Sequence, residues 1–202
     1  MRSTLAGMTE TDPKAELQFY LTRARDALLW KTEGLSEYDV RRPLVPTGTN
    51  LLGLVKHVAG VTVRYFGECF DRPFAEPVPW LDDDEPNASM FASANESREW
   101  LVSLYRAAWA HADATLESLP LHATGEVPWW PRERRNPTLH RVTIHMIAET
   151  ERHAGHADIV RELIDGSVGV RADYAGVPDR DSDAWMTHRD RVEQAAKDAG
   201  AR

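Results

Sequence analysis

Residues 137–166, PTLHRVTIHMIAETERHAGHADIVRELIDG, constrain the fold of this chain more than any other stretch. Asn136 and Pro137 supply a helix N-cap and first turn, and Gly166 supplies a stop. Between them Leu139, Val142, Met146, Val160, Leu163 and Ile164 recur at helical spacing, which predicts one long amphipathic helix. At about 100° per residue, Glu149 and His153 fall in the middle of that apolar stripe, with His145 and His156 on its margin. A carboxylate is almost never left inside a core without a partner. Something cationic is therefore expected beside it, and a metal ion is the leading candidate.

The remaining pattern is also helical. Asp12 and Pro13 open a first helix whose buried stripe is Leu17, Leu21, Ala24 and Leu28, with Gly34 as its stop. A connector punctuated by Pro43, Pro46 and Gly48 follows. Thr49 or Asn50 then caps a helix over residues 51–70, with Leu51, Leu54, Val58, Val61 and Tyr65 on its apolar face and His57 at the border. Residues 71–92 read as a long ordered loop or partial lid anchored by Trp80. A third long helix is expected from about Ser93 to Leu119, with Trp100, Leu101, Leu104, Ala108 and Leu116 facing inward. The next connector holds Trp129 and Trp130 between prolines. Past Gly166 comes a loop through Pro178 and a short C-terminal helix expected to pack Trp185 and Val192 on the bundle or on a partner chain. With no convincing strand and no internal repeat, the fold class is all-α, a four-helix bundle with long connecting loops and a short C-terminal helix. The expected organisation is a flexible N-terminus over 1–12, the bundle over 13–166, and a C-terminal loop and helix over 167–202.

At 202 residues the chain suits one domain with a real core. No run of about 18 apolar residues is present to span a membrane, and the N-terminus lacks the apolar segment of a signal peptide. A net charge of −8, spread along the chain, argues against a nucleic-acid surface. The one short basic run, Arg132 to Arg135, includes Glu133 and reads as a solvated turn. A single cysteine, Cys69, permits no internal disulfide, so a reducing cytoplasm is the expected compartment. Its neighbours Phe66 and Phe70 make it a packing residue.

Glu149 and His153 are four residues apart on one helix, so both side chains reach one ion. The best third ligand is His57, which alone among the other histidines borders the core stripe of a different long helix. Two imidazoles and a carboxylate suit Zn²⁺ first, with Ni²⁺ or Fe²⁺ as alternatives, and three protein ligands leave positions open for water or substrate. The competing reading pairs Glu149 with Arg64 or Arg152 in a structural polar network, and spacing alone does not separate the two. His145 and His156 are candidates for orienting the ligands, with the same two arginines nearby. The HExxH, paired Glu-x-x-His, GxSxG, Walker and GxGxxG patterns are all absent, as is the spacing of an EF-hand.

His57 in LxxHVAG, together with HMIAETERHAGHADIVREL carrying Glu149 and His153, resembles the DinB-like superfamily of four-helix metal proteins. It is most similar to the actinobacterial branch that includes mycothiol-dependent maleylpyruvate isomerase and the mycothiol S-transferases. That branch has Glu where most DinB-like members have His at the first ligand position of the fourth helix. The resemblance covers most of residues 13–166 and implies a divalent metal, usually zinc, on His57, Glu149 and His153. The isomerase's additional C-terminal domain is expected to be missing here, which argues against that particular reaction. Homodimers are common in the superfamily, and one is compatible with an exposed C-terminal helix.

The expected function is a metal-dependent transfer in which a low-molecular-weight thiol, mycothiol or a relative, attacks a small electrophile. Trp80, Trp129 and Trp130 are the candidates for the substrate pocket, and Arg64 or Arg152 for neutralising a carboxylate. Two alternatives stand beside it. One is a metal-dependent hydrolase of small molecules, and the other is a non-catalytic dimer whose ion ties two helices together.

Overall fold

In the computed structural model, residues 12–83, 85–178 and 181–201 are described. The expected flexible N-terminus, 1–12, falls outside them except for its last residue. The chain divides into two compact units, Met1–Ser167 and Val168–Arg202. The first holds α1 (Pro13–Trp30), α2 (Glu37–Arg41), α3 (Leu51–Phe66), α4 (Arg98–Ser118) and α5 (Leu139–Asp165); the second holds α6 (Ser182–Gly200). Among the described residues there is no strand, only isolated bridges.

Four long helices close a ring in the order α1, α5, α3, α4. Their directions follow from the polar contacts at their ends. Lys14 Nζ donates to the carbonyl of Leu119 past the end of α4, and Arg98 at the start of α4 donates to Leu35 just past α1, so α1 and α4 are antiparallel. Thr115 Oγ1 donates to the carbonyl of Phe66, joining two C-terminal ends, so α3 and α4 are parallel. That explains the length of the 67–97 connector, which must travel back along the whole bundle before α4 begins.

α3 is buried almost all round. Only His57, Val61 and Arg64 reach solvent in part, and their spacing of four and three residues puts them on one narrow face. Asn50 caps the helix by accepting from Gly53 N (2.8 Å), which chooses between the two expected caps. The helix ends at Phe66 instead of continuing to residue 70, because Gly67 leaves helical geometry and a 3-10 turn follows. The connector before it contains α2, unseen in the sequence pattern because one turn capped by Ser36 is too short to show periodicity.

The loop over 71–97 is strapped to α3. The side-chain amide of Asn50 donates to Met90 O (3.1 Å), and buried Lys56 reaches both Phe91 O (3.0 Å) and Glu96. Gly53 permits this approach: a Cβ there would lie 2.0 Å from Met90 O. Gly60 does the same for the Trp80 indole, whose Nε1 would be 2.7 Å from an added Cβ. Because Glu96 is held by Lys56 and by Ser93 N, the chain cannot turn helical at Ser93, and α4 starts at Arg98 with Ser97 as cap. Trp100, expected inward, is 38% exposed and stands edge-on to Trp80.

α5 also starts later than expected, at Leu139 with Thr138 as cap. Residues 135–139 run extended against 123–127 through Val127 N to Arg135 O, Gly125 N to Pro137 O and Leu139 N to Ala123 O, which keeps Asn136 and Pro137 out of the helix. The buried stripe runs Leu139, Val142, Met146, Thr150, His153, Ala157, Val160 and Arg161. Leu163, expected in it, is 61% exposed, because α1 has already ended where Arg161 meets the carbonyls of Lys31 and Glu33. In the second unit, Asp181 caps α6 through Ala184 N, and no residue of that helix is buried.

Candidate metal centre

The ring order places α5 directly beside the open face of α3. The two helices run antiparallel, since His57 meets His153 (ring centroids 4.8 Å) while Tyr65, two turns on, meets His145 two turns back (4.8 Å). Glu149 lies between. Its Oε1 is 3.0 Å from His153 Nε2 and 3.4 Å from His57 Nε2, and one ligating atom from each of the three residues lies within 4.8 Å of the others. Glu149 is half-buried at the edge of the stripe, not in its middle as its phase predicts; His153 is the member that is buried. The carboxylate faces imidazoles, and neither Arg64 nor Arg152 pairs with it in the described contacts.

The donor set fits a borderline divalent ion: two imidazole nitrogens and one carboxylate oxygen from two rigid helices. Ser89, from a 3-10 turn of the strapped loop, lies 3.1 Å from His57 Nδ1 and fixes that ring, as an outer partner of a metal-bound histidine does. Nothing in the sequence pointed to Ser89, which lies 32 positions from its partner in a stretch without period. On the other ring, His153 Nδ1 is buried without a hydrogen-bond partner.

Hydrogen bonds from His153, then from His57, hold the Glu149 carboxyl far below the usual carboxylate range against the opposing effect of burial. A depressed folded pKa gives stability that is complete above the unfolded value of about 4.3 and fades as pH falls through the folded one. In metal-free protein, the stability advantage of the native chain over Glu149→Gln should therefore shrink steadily as pH falls below about 4. Urea unfolding of both chains at a series of pH values checks this; an advantage that goes on growing below about pH 4 would refute it.

Of the other candidates, His145 is half-buried one turn before Glu149, and burial lowers its pKa against the opposing charge of that carboxylate. Its ring packs on Tyr65 and Trp130 (5.2 Å). His156 is exposed, edge-on to His153 at 5.7 Å. Arg64 turns away from the trio, donating to Leu81 O and lying over the Trp129 ring, and Arg152 is exposed. Trp129 and Trp130 both donate their indole N–H to Tyr65 Oη (3.1 and 2.9 Å), forming a rigid wall beside His145. Trp80 is not part of that wall. It is buried against Gly60, with Lys56 4.7 Å from its ring. Burial and then the charge of Glu68 push the Cys69 thiol up to about 12, which keeps it protonated at neutral pH.

No helix among the described residues is long and apolar enough to cross a membrane. No curated protein matches the sequence. A crystal structure titled as the conserved protein of locus from Enterococcus faecalis shares the fold, with a TM-score of 0.54 at 16% identity, covering 76% of this chain and 97% of that one. The all-α bundle is thus a fold this chain shares with a solved structure. The family model described as mycothiol-S-transferase matches residues 16–166, a span that takes in His57, Glu149, His153 and the loop bearing Ser89, and the chain belongs to that family.

Proposed function

We propose that the protein transfers a low-molecular-weight thiol, mycothiol or a close relative, onto the electrophilic carbon of a small organic molecule, with His57, Glu149 and His153 holding a divalent ion, zinc being the first choice. The observation that carries this reading is the convergence of the three donors on the one face of α3 left open to solvent, in a chain whose family is named for that thiol. An ion held there supplies positive charge that lowers the pKa of a nearby thiol and so provides thiolate at neutral pH.

The chain's own groups set the terms of that chemistry. An ion takes imidazoles as neutral donors, so Glu149 would be the one anionic ligand of the three and a divalent ion would retain net charge to attract the sulfur. Ser89 holds the His57 ring at its angle, and Tyr65, Trp129 and Trp130 form a fixed wall beside the site. In the reaction a carbon–sulfur bond forms and the thiol proton passes to solvent; a leaving group departs with its bonding pair or, where the sulfur adds to a double bond, the adjoining carbon takes up a proton from solvent. The electrophile must approach from the side of α3's open face, since the helix is packed on every other side.

Cobalt-loaded protein titrated with mycothiol should show a saturable change in its visible spectrum, and turnover of an activated aryl halide should require the thiol. An unchanged spectrum would remove direct contact between sulfur and ion. Product formation without thiol would replace transfer by hydrolysis.

A further inference from the structure

A cavity of about 350 Å³ opens one helical turn from Glu149, lined by Trp130, Pro131, Arg134, Arg141, Ile144 and His145. His145 and Glu149 share a helix face about 6 Å apart along the axis, so the cavity adjoins the trio. The volume suits a single substituted ring. Its walls are unusual for this chain. Ile144 is 47% exposed on the flank of α5, and Trp130 presents an indole whose orientation is fixed by its bond to Tyr65. Two guanidiniums complete the lining in a protein of net charge −8. Arg141 lies over the Trp130 ring at 5.7 Å, and neither it nor Arg134 forms an ion pair among the described residues. Arg134 belongs to the basic run that reads in the sequence as a solvated turn; the extended pairing of 123–127 with 135–139 brings it to the start of α5.

Two guanidiniums at the mouth of an apolar, flat-walled cavity match a carboxylate attached to a planar group. A neutral ring would gain only the wall. From this we infer that the cavity is the subsite for the second substrate and that it selects planar electrophiles carrying a carboxylate. The inference rests on the transferase reading for the role of the cavity, though the anion preference itself does not. The carboxylate is held by Arg134 and Arg141, the ring lies against Trp130 and Ile144, and the reacting carbon faces Glu149's turn of α5. In the probe reaction the thiol sulfur bonds to the ring carbon bearing chlorine, chloride leaves with the bonding pair, and the thiol proton is released to solvent.

The test compares 4-chloro-3-nitrobenzoate with 4-chloro-3-nitrobenzamide, two probes of like size that differ in charge. After division by the uncatalysed rates with mycothiol, kcat/KM should favour the benzoate by about tenfold or more, through KM. In the Arg134→Gln/Arg141→Gln double variant the ratio should collapse towards one. Both side chains are exposed, so the fold is not at risk. Calorimetric binding of 3-nitrobenzoate and 3-nitrobenzamide to the metal-loaded protein without thiol should show the same preference and the same collapse. A preference that is absent in the native chain, or that survives in the double variant as it would if the carboxylate bound the ion directly, overturns the inference. Selective binding without thiol-dependent turnover would instead sink the transferase reading and leave the anion subsite standing.

Discussion

Replacing Glu149 with alanine should empty the metal centre. Native protein prepared without chelators is expected to contain about one divalent ion per chain, and Glu149→Ala less than about a tenth of that after dialysis. The physical reason is that Glu149 Oε1 stands between the two imidazoles, 3.0 Å from His153 Nε2 and 3.4 Å from His57 Nε2, and is the only anionic donor of the trio. Two imidazoles alone do not balance a double charge, and loss of an outer partner already costs about 10–100-fold in affinity at comparable sites, so loss of a direct ligand should exceed that. Glu151→Ala is the control, because Glu151 is exposed on the same helix and should leave the ion content unchanged. Elemental analysis of the three proteins decides the matter. No stoichiometric ion in the native chain, or equal content in Glu149→Ala, would reduce the trio to a polar contact between two helices.

The largest effect on stability should come from Arg161→Ala, far from the metal. Arg161 is 7% exposed, and its guanidinium donates to both oxygens of Asp165 and to the carbonyls of Lys31 (2.9 Å) and Glu33 (2.7 Å). It therefore closes the C-terminal end of α1 onto α5. Truncation leaves the carbonyls of Lys31 and Glu33 without their donor, a loss of about 2–4 kcal/mol in all, while the exposed Asp165 carboxylate returns to water. For a protein of this size that is about 4–16 °C in Tm. Lys31→Met should cost much less. Lys31 is fully buried and paired with Asp158, but that carboxylate is 42% exposed and can return to water, while Met keeps the volume of the stem. Thermal unfolding must use metal-free samples, because a bound ion would stabilise the native state by mass action. A Tm within about 2 °C of native for Arg161→Ala, or a greater loss for Lys31→Met, would contradict this account.

Arg161 also shows where periodicity misleads. A hydrophobic pattern extended the α5 stripe through Leu163, whereas the buried position is an arginine whose stem packs while its head finds two carbonyls from 128 and 130 residues away. No local signal announces such a partner. The same holds for Lys56, buried in the α3 stripe because a loop carbonyl and Glu96 come to it. Caps were legible where the side chain acts on its own turn, as at Asn50 and Asp12. They were misread at Asn136, where pairing with a distant segment holds the backbone extended.

What the sequence determined by itself was the number of the bundle's four long helices and most of the apolar face of each, because each must bury such a face and its period is written in the chain. It also put Glu149 and His153 on one side of α5, since four residues make nearly one turn. Only the tertiary structure decided that His57 meets them, through the antiparallel packing of α3 on α5. It alone supplied Ser89 to His57 and set Arg134 beside Arg141 at the mouth of a cavity. Helical phase is a property of neighbouring residues, whereas these meetings depend on how whole helices cross and how loops return over them, which the spacing of residues within one segment does not encode.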